Sequence, residues 1–260
     1  MTSFTLSSLI QFLNTLPPEI LSVGVFLCCG GGLLLTLRYF GVYGLFGYCT
    51  LALFISNIQV LKAARFSFSH EPIALGTIVF SITFLIADIL TEYYSPKIAL
   101  KAVWFSFLAM LVMMILMILT LGVAPLDPSQ EPIEYKRFFQ AHEAMRFLFL
   151  PAPAIFLASI ISYVVSQVND IVLFNFFKKA THKKFLWLRA GVSTMIASLI
   201  DTVLFSTLAW VIFAESPINL KTLLWTYILG TYGGRLLMSI ANVPFVYLAG
   251  KLLPKAERYA

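Results

Sequence analysis

Between Glu19 and Arg38, between Arg38 and Lys62, and again between Lys101 and Asp127, the chain carries no charged side chain. Each run is close to the ~20 residues a helix needs to cross the hydrocarbon core of a bilayer. Only helices and closed barrels satisfy every backbone polar group there. Barrel strands alternate apolar and polar residues, and none of these runs alternates, so helices remain. Composition agrees. Charged residues make up 12% and hydrophobic residues 60%, against about 25% charged in an average soluble domain. A surface so poor in polar groups suits lipid rather than water.

Reading hydropathy along the chain predicts up to seven spans: Ile20 to Leu37, Val42 to Leu61, Ile73 to Tyr93, Ala102 to Leu121, Phe147 to Phe177, Ala190 to Phe213 and Leu223 to Leu253. The fifth is long and has Pro151 and Pro153 near its start, and the seventh contains Pro244. The segment from Phe4 to Leu16 is mildly apolar and ends at Pro17-Pro18, which suits a helix lying in the interface. No charged n-region precedes Arg38, so a signal peptide is not expected. No linker or low-complexity tract divides residues 1–260, which read as a single integral membrane domain. The fold class is therefore all-α: a polytopic transmembrane bundle of six or seven spanning helices.

Orientation follows the distribution of basic residues. The richest loop, Lys178-Lys179-Ala180-Thr181-His182-Lys183-Lys184 with Arg189 after it, belongs in the cytoplasm. Alternation then places Lys97, Lys101 and the tail bearing Lys251, Lys255 and Arg258 on the same side, so the C-terminus is cytoplasmic. The acidic loop with Asp127, Glu131, Glu134 and Glu143 falls outside, and so do Lys62 and Arg65, against the rule. The net charge of +6 is explained by this topogenic pattern and needs no nucleic-acid partner. Cys28, Cys29 and Cys49 lie in apolar runs without metal-ligand spacing, so neither metal nor cofactor is expected.

Ionisable groups at membrane depth are costly, rare and usually functional. Asp88 and Glu92 are four residues apart, on one helix face. Gln167 and Asp170 share a face of the fifth span, with Asn169 beside them. Thr194, Ser198 and Asp201 form a polar stripe on the sixth, and Thr231, Arg235, Ser239 and Asn242 form one on the seventh. Arg235 is the only basic residue well inside a span, so it should pair with a carboxylate, Asp201 or Asp88. These stripes predict a central cavity lined by Asp88, Asp201 and Arg235. It would suit a planar polar solute, with Phe84, Trp104, Phe174 or Phe205 available to stack on a ring. Gly230 and Gly234 suggest close helix contact, and Gly30-Gly31-Gly32 suggests packing or a local break.

The segments Phe84-Leu85-Ile86-Ala87-Asp88-Ile89-Leu90-Thr91-Glu92-Tyr93-Tyr94, Gln167-Val168-Asn169-Asp170-Ile171-Val172-Leu173-Phe174, Leu186 to Phe205, and the Tyr232 to Tyr247 helix occur in this order. Together they resemble the queuosine precursor transporter family, also called vitamin uptake transporters, of the bacterial inner membrane. The likeness covers about residues 73–253. Three departures stand out: Ser95-Pro96 follows Tyr94 where the family tends to have Gly, the basic residue of the last helix, often Lys in the family, is Arg235, and the loop from Gly122 to Arg146 is long.

The resemblance implies multi-pass import of a 7-deazaguanine (preQ0, preQ1 or queuine) for tRNA modification. Asp88, Glu92, Asn169, Asp170, Asp201 and Arg235 would be the substrate-binding residues, supported by Gln167, Ser198, Ser239 and Asn242. Either Asp88 or Asp201 would take the amine edge of the base, Arg235 its carbonyl, and Asn169 a further polar contact. The expected partners are this nucleobase-like solute and the bilayer, and a homo-oligomer stays open.

Two other readings compete. One is the substrate-binding membrane subunit of an energy-coupled vitamin or nucleobase uptake system, since the chain has no Walker motif. The other is a structural membrane protein. An enzyme is not expected: there is no His-Glu-x-x-His and no Gly-x-Ser-x-Gly, and His70, His142 and His182 lie at or beyond span ends.

Overall fold

The computed structural model describes residues 6–67, 72–127, 129, 132, 135–149, 153–214 and 216–253. Phe4, His70, Glu131, Glu134, Pro151, Lys255 and Arg258, named above, lie outside them. Helices dominate: α1 (Leu6–Leu13), α2 (Pro18–Gln59), α3 (Gly76–Tyr93), α4 (Pro96–Leu121), α5 (Lys136–Phe149), α6 (Pro153–Ala180), α7 (Leu186–Thr207), α8 (Leu220–Thr222) and α9 (Gly230–Leu252). A two-residue antiparallel ladder, β1 (Ala63–Ala64) with β2 (Ile73–Ala74), joins α2 to α3. Five helices among the described residues are long and apolar enough to cross a membrane. The all-α polytopic class stands.

The first two expected spans are the two halves of α2. Gly41 divides them with φ 56° and ψ −139°, a backbone state essentially reserved for glycine. The halves fold back on each other: Tyr48 Oη donates to the Cys29 carbonyl at 2.9 Å, and Thr36 abuts Gly44. The break therefore falls at Gly41 and not at the Gly30-Gly31-Gly32 run, where Gly30 packs on Phe245 and Gly32 on Tyr48. Gly41→Ala forces a β-carbon into this state and should destabilise the hairpin by about 1–3 kcal/mol. A lower unfolding temperature in detergent checks this.

The hairpin tip lies beside Tyr94, Ile98 and Leu252, so Arg38 joins Lys97, Lys101, the 178–184 loop and Lys251 at one end of the bundle. This is the basic end. Its tightest loop holds His182, Lys183 and Phe185 at positive φ. Arg189 does not belong to that loop, as the charge pattern had suggested. It sits in the first turn of α7 and is 2% exposed.

Helix α4 starts with Ser95 as N-cap and Pro96 in its first turn, the usual placement for both residue types. The fifth span begins at Pro153 and not at Phe147, because residues 136–149 form the separate helix α5, with no buried residue. At the end opposite the basic one, α7 runs on as a π-helical turn over Leu208–Ile212, and another over Leu223–Leu229 leads into α9. Trp210 and Tyr227 pack there with ring centroids 5.0 Å apart. The Gly230/Gly234 pair marks no close helix contact, since a β-carbon on Gly234 would meet nothing within 4 Å.

Helix α3 is the axis of the bundle. Every residue from Gly76 to Tyr93 is buried except Thr77 and Phe80. It packs against α2, α4, α6 and α9, which fits a helix that is apolar around most of its circumference. Gly76 permits the closest approach, because its missing side chain leaves room for the backbone of Ser56 and Val60 at the end of α2.

Candidate functional site

Polar side chains on α3, α6, α7 and α9 fall into three tiers along the bundle. At the basic end, Arg189 holds Glu92 with two hydrogen bonds, Nε to Oε2 at 3.0 Å and Nη2 to Oε1 at 2.7 Å. Lys178 Nζ lies 3.3 Å from the same carboxylate and donates to the Glu92 carbonyl at 2.7 Å. Arg189 Nη1 donates to the Lys184 carbonyl at 2.9 Å. Beside this cluster, Tyr93 Oη donates to the Val246 carbonyl at 2.9 Å and closes α3 onto α9. Glu92 is thus part of an interhelical lock.

The middle tier lies deeper, starting about one turn from Glu92 at Asp88 and reaching about three turns from it at Ser81. Thr194 Oγ1 is 3.3 Å from Asp88 Oδ2 and 3.4 Å from Asp170 Oδ1, so one hydroxyl stands between two buried carboxylates. Gln167 Nε2 donates to Thr83 Oγ1 at 2.8 Å, and Asn242 Nδ2 donates to the Ser81 carbonyl at 3.0 Å.

The third tier, toward the opposite end, is built on Asp201 and Arg235. Arg235 Nη1 and Asp201 Oδ2 form an ion pair, and Ser166 Oγ donates to Asp201 Oδ1 at 3.1 Å. The guanidinium lies over the Phe80 ring, 5.4 Å from its centroid, a cation–π arrangement. Buried Arg235 Nε has no partner.

This pair walls a small, partly open cleft between α2, α3, α6, α7 and α9. Asn57, Thr77, Phe80, Ser159 and Phe205 complete the polar and aromatic lining. The two α3 residues that escape full burial, Thr77 and Phe80, are those that face this cleft. Ser159 Oγ donates to Asn57 Oδ1 at 3.0 Å, holding α6 to the end of α2. The cleft combines a guanidinium with a free donor, a carboxylate, hydroxyls, an amide and two rings. It can bind a flat solute through edge hydrogen bonds and face stacking.

The expected single cavity is therefore two sites. Asp201 and Arg235 converge, but Asp88 joins Asp170 and Thr194. Thr194 is seven residues from Asp201 on α7, roughly 10 Å of helix rise. Asn169 joins neither: its side chain turns back to the Val165 carbonyl at 2.8 Å on the outer face of α6. Ser198 and Ser239 bond their own helices, to the Met195 carbonyl at 3.0 Å and the Arg235 carbonyl at 2.9 Å. Of the proposed stacking residues, Phe205 lines the cleft and Phe84 packs edge-on behind Phe80 at 5.7 Å. Phe174 is fully buried, and Trp104 is 53% exposed on the lipid side. The sequence reading missed Asn57, Thr77, Phe80 and the serines of α6. Ser159, Ser162 and Ser166 recur at helical spacing, a stripe that could have been found.

Residues 74–249 match the family described as "Putative vitamin uptake transporter". The chain belongs to this family. The match in this vitamin uptake transporter runs from β2 to the last turn of α9, so all three polar tiers lie inside it. The chain is also 28% identical over 226 residues to the "Probable queuosine precursor transporter" of Bacillus subtilis (strain 168), covering 86% of this chain and 91% of the relative. No solved structure matches it. With its apolar helices, family membership makes the chain a multi-pass transporter of the bacterial inner (cytoplasmic) membrane.

Proposed function

We propose that this transporter imports a queuosine precursor, a 7-deazaguanine such as preQ0, preQ1 or queuine, through the Asp201–Arg235 cleft. The supporting observation is that ion pair, set in a partly open cleft beside two aromatic rings. Arg235 donates to the carbonyl oxygen of the base. Asp201 has a second lone pair on each oxygen and accepts from the ring N–H and exocyclic amine. Phe80 and Phe205 flank the ring. The name of the Bacillus subtilis relative points to the same substrate class.

The basic end faces the cytoplasm by the positive-inside rule, so the cleft faces outward and the Glu92–Arg189 lock closes the inner side. Counting both halves of α2 and the helix through α9 gives seven crossings, with the N-terminus outside and the C-terminus inside. Asn57 and Ser159 replace Asn169 and Asp88 as the polar groups nearest the bound base.

A host lacking its own transporter and unable to make queuosine tests this reading. Expressing the chain and supplying each base in turn should restore queuosine to tRNA with at least one of the three. No restoration with any, while the protein reaches the membrane, would refute it.

A further inference from the structure

We propose that Asp88 and Asp170, bridged by Thr194, form a proton-carrying dyad, separate from the substrate cleft, that couples transport to the proton gradient. The proposal rests on the transporter assignment and not on the identity of the base.

The two carboxylates come from different helices, α3 and α6, and are 2% and 0% exposed. The single proton of Thr194 is offered to both. Asp88 Oδ1 and Asp170 Oδ2 have no partner. Ser193 is fully buried. Its hydroxyl closes no hydrogen bond. Gln167 Oε1, buried one turn before Asp170, is likewise unmatched. Unmet acceptors this deeply buried mark a missing donor.

Among the described residues no side-chain cation completes the group. Among the ionisable groups that act on Asp88 besides Asp170 are Glu92 and Arg189, and these are bonded to each other, with Lys178 on the same carboxylate. On α9, Arg235 is committed to Asp201. Two like charges so placed cannot both persist, and such a pair holds one proton between them.

The dyad lies between the outward cleft and the inner lock. It takes one proton from the outer side when the cleft is open and gives one up to the cytoplasm when the lock opens, so each cycle moves one proton inward with the solute. No bond to the solute forms or breaks.

The test uses the full-length protein in nanodiscs and in proteoliposomes. Infrared spectra of the wild type at neutral pH should contain the carbonyl stretch of a protonated, buried carboxyl group. The Asp88→Asn/Asp170→Asn double variant should lack it. Absence of the band from wild type, or its persistence in the double variant, overturns the dyad.

In proteoliposomes holding a trapped pH dye, external preQ0 should acidify the lumen with wild type and not with the double variant. Uptake driven by a sodium gradient alone, without lumen acidification, also overturns it. If no 7-deazaguanine moves at all, the substrate reading fails while the infrared band still decides the dyad.

Discussion

Arg235→Ala is expected to reduce uptake of the base by at least thirtyfold, while Arg235→Lys keeps uptake with an altered preference among the three bases. Removing the guanidinium strips the cleft of its only cation among the described lining residues and leaves Asp201, 3% exposed, without its counter-charge. Losing a hydrogen bond from a charged donor to the base costs about 1.5–3 kcal/mol, and every ~1.4 kcal/mol is a factor of ten in binding. Lysine restores the charge but loses the planar fork of donors, so selectivity moves while transport survives. Initial rates with each base, normalised to protein in the membrane, separate these outcomes. If Arg235→Ala transports at the wild-type rate, the pair only fastens helices together and the cleft is not the site.

The second large effect is on stability. Arg189→Ala and Glu92→Ala should each destabilise the folded protein by about 3–5 kcal/mol, since each leaves a buried partner charge unmatched. The double variant should be less damaged than the sum of the singles, because removing both charges together leaves less to compensate. Lys178 remains near Glu92 in the Arg189→Ala variant, so that variant should be the milder single. Thermal unfolding of purified protein in detergent, followed for the two singles and the double, measures the coupling. Strict additivity would mean that the pair, despite its two short hydrogen bonds, contributes nothing specific.

Much of this was legible in the sequence because a bilayer makes charge conspicuous. Asp201 and Arg235 stand out in apolar runs, and one basic group inside a span has to find an acid. Asp88, Glu92 and Asp170 were visible for the same reason. Helical spacing alone could not say at which depth each stripe meets its neighbours, so one cavity was expected where the polar groups divide into three tiers.

Arg189 was read as a loop charge because it follows a lysine run, and only the fold reveals Glu92 beside it. Asn169 is adjacent in sequence to Asp170 yet points outward, as one residue along a helix turns the side chain by about 100°. Phe80 was invisible because phenylalanine is common throughout this chain, and nothing local distinguishes a ring under a guanidinium from one in lipid. Helix α5 was hidden in a segment that reads as a long loop, polar on average and bounded by prolines.

The near-total enclosure of α3 has a consequence for how the protein moves and for what the surrounding lipid can influence. Acyl chains touch the hairpin of α2 and the outer faces of α4, α6, α7 and α9, where large apolar side chains are exposed, but not the helix that carries Asp88 and Glu92. Bilayer thickness and lipid identity can therefore act on transport only through those outer helices, which must slide or tilt around a stationary post. A photoreactive lipid analogue should label α4 and the α2 hairpin heavily and leave residues 76–93 unmarked, whichever side of the membrane the cleft is open to.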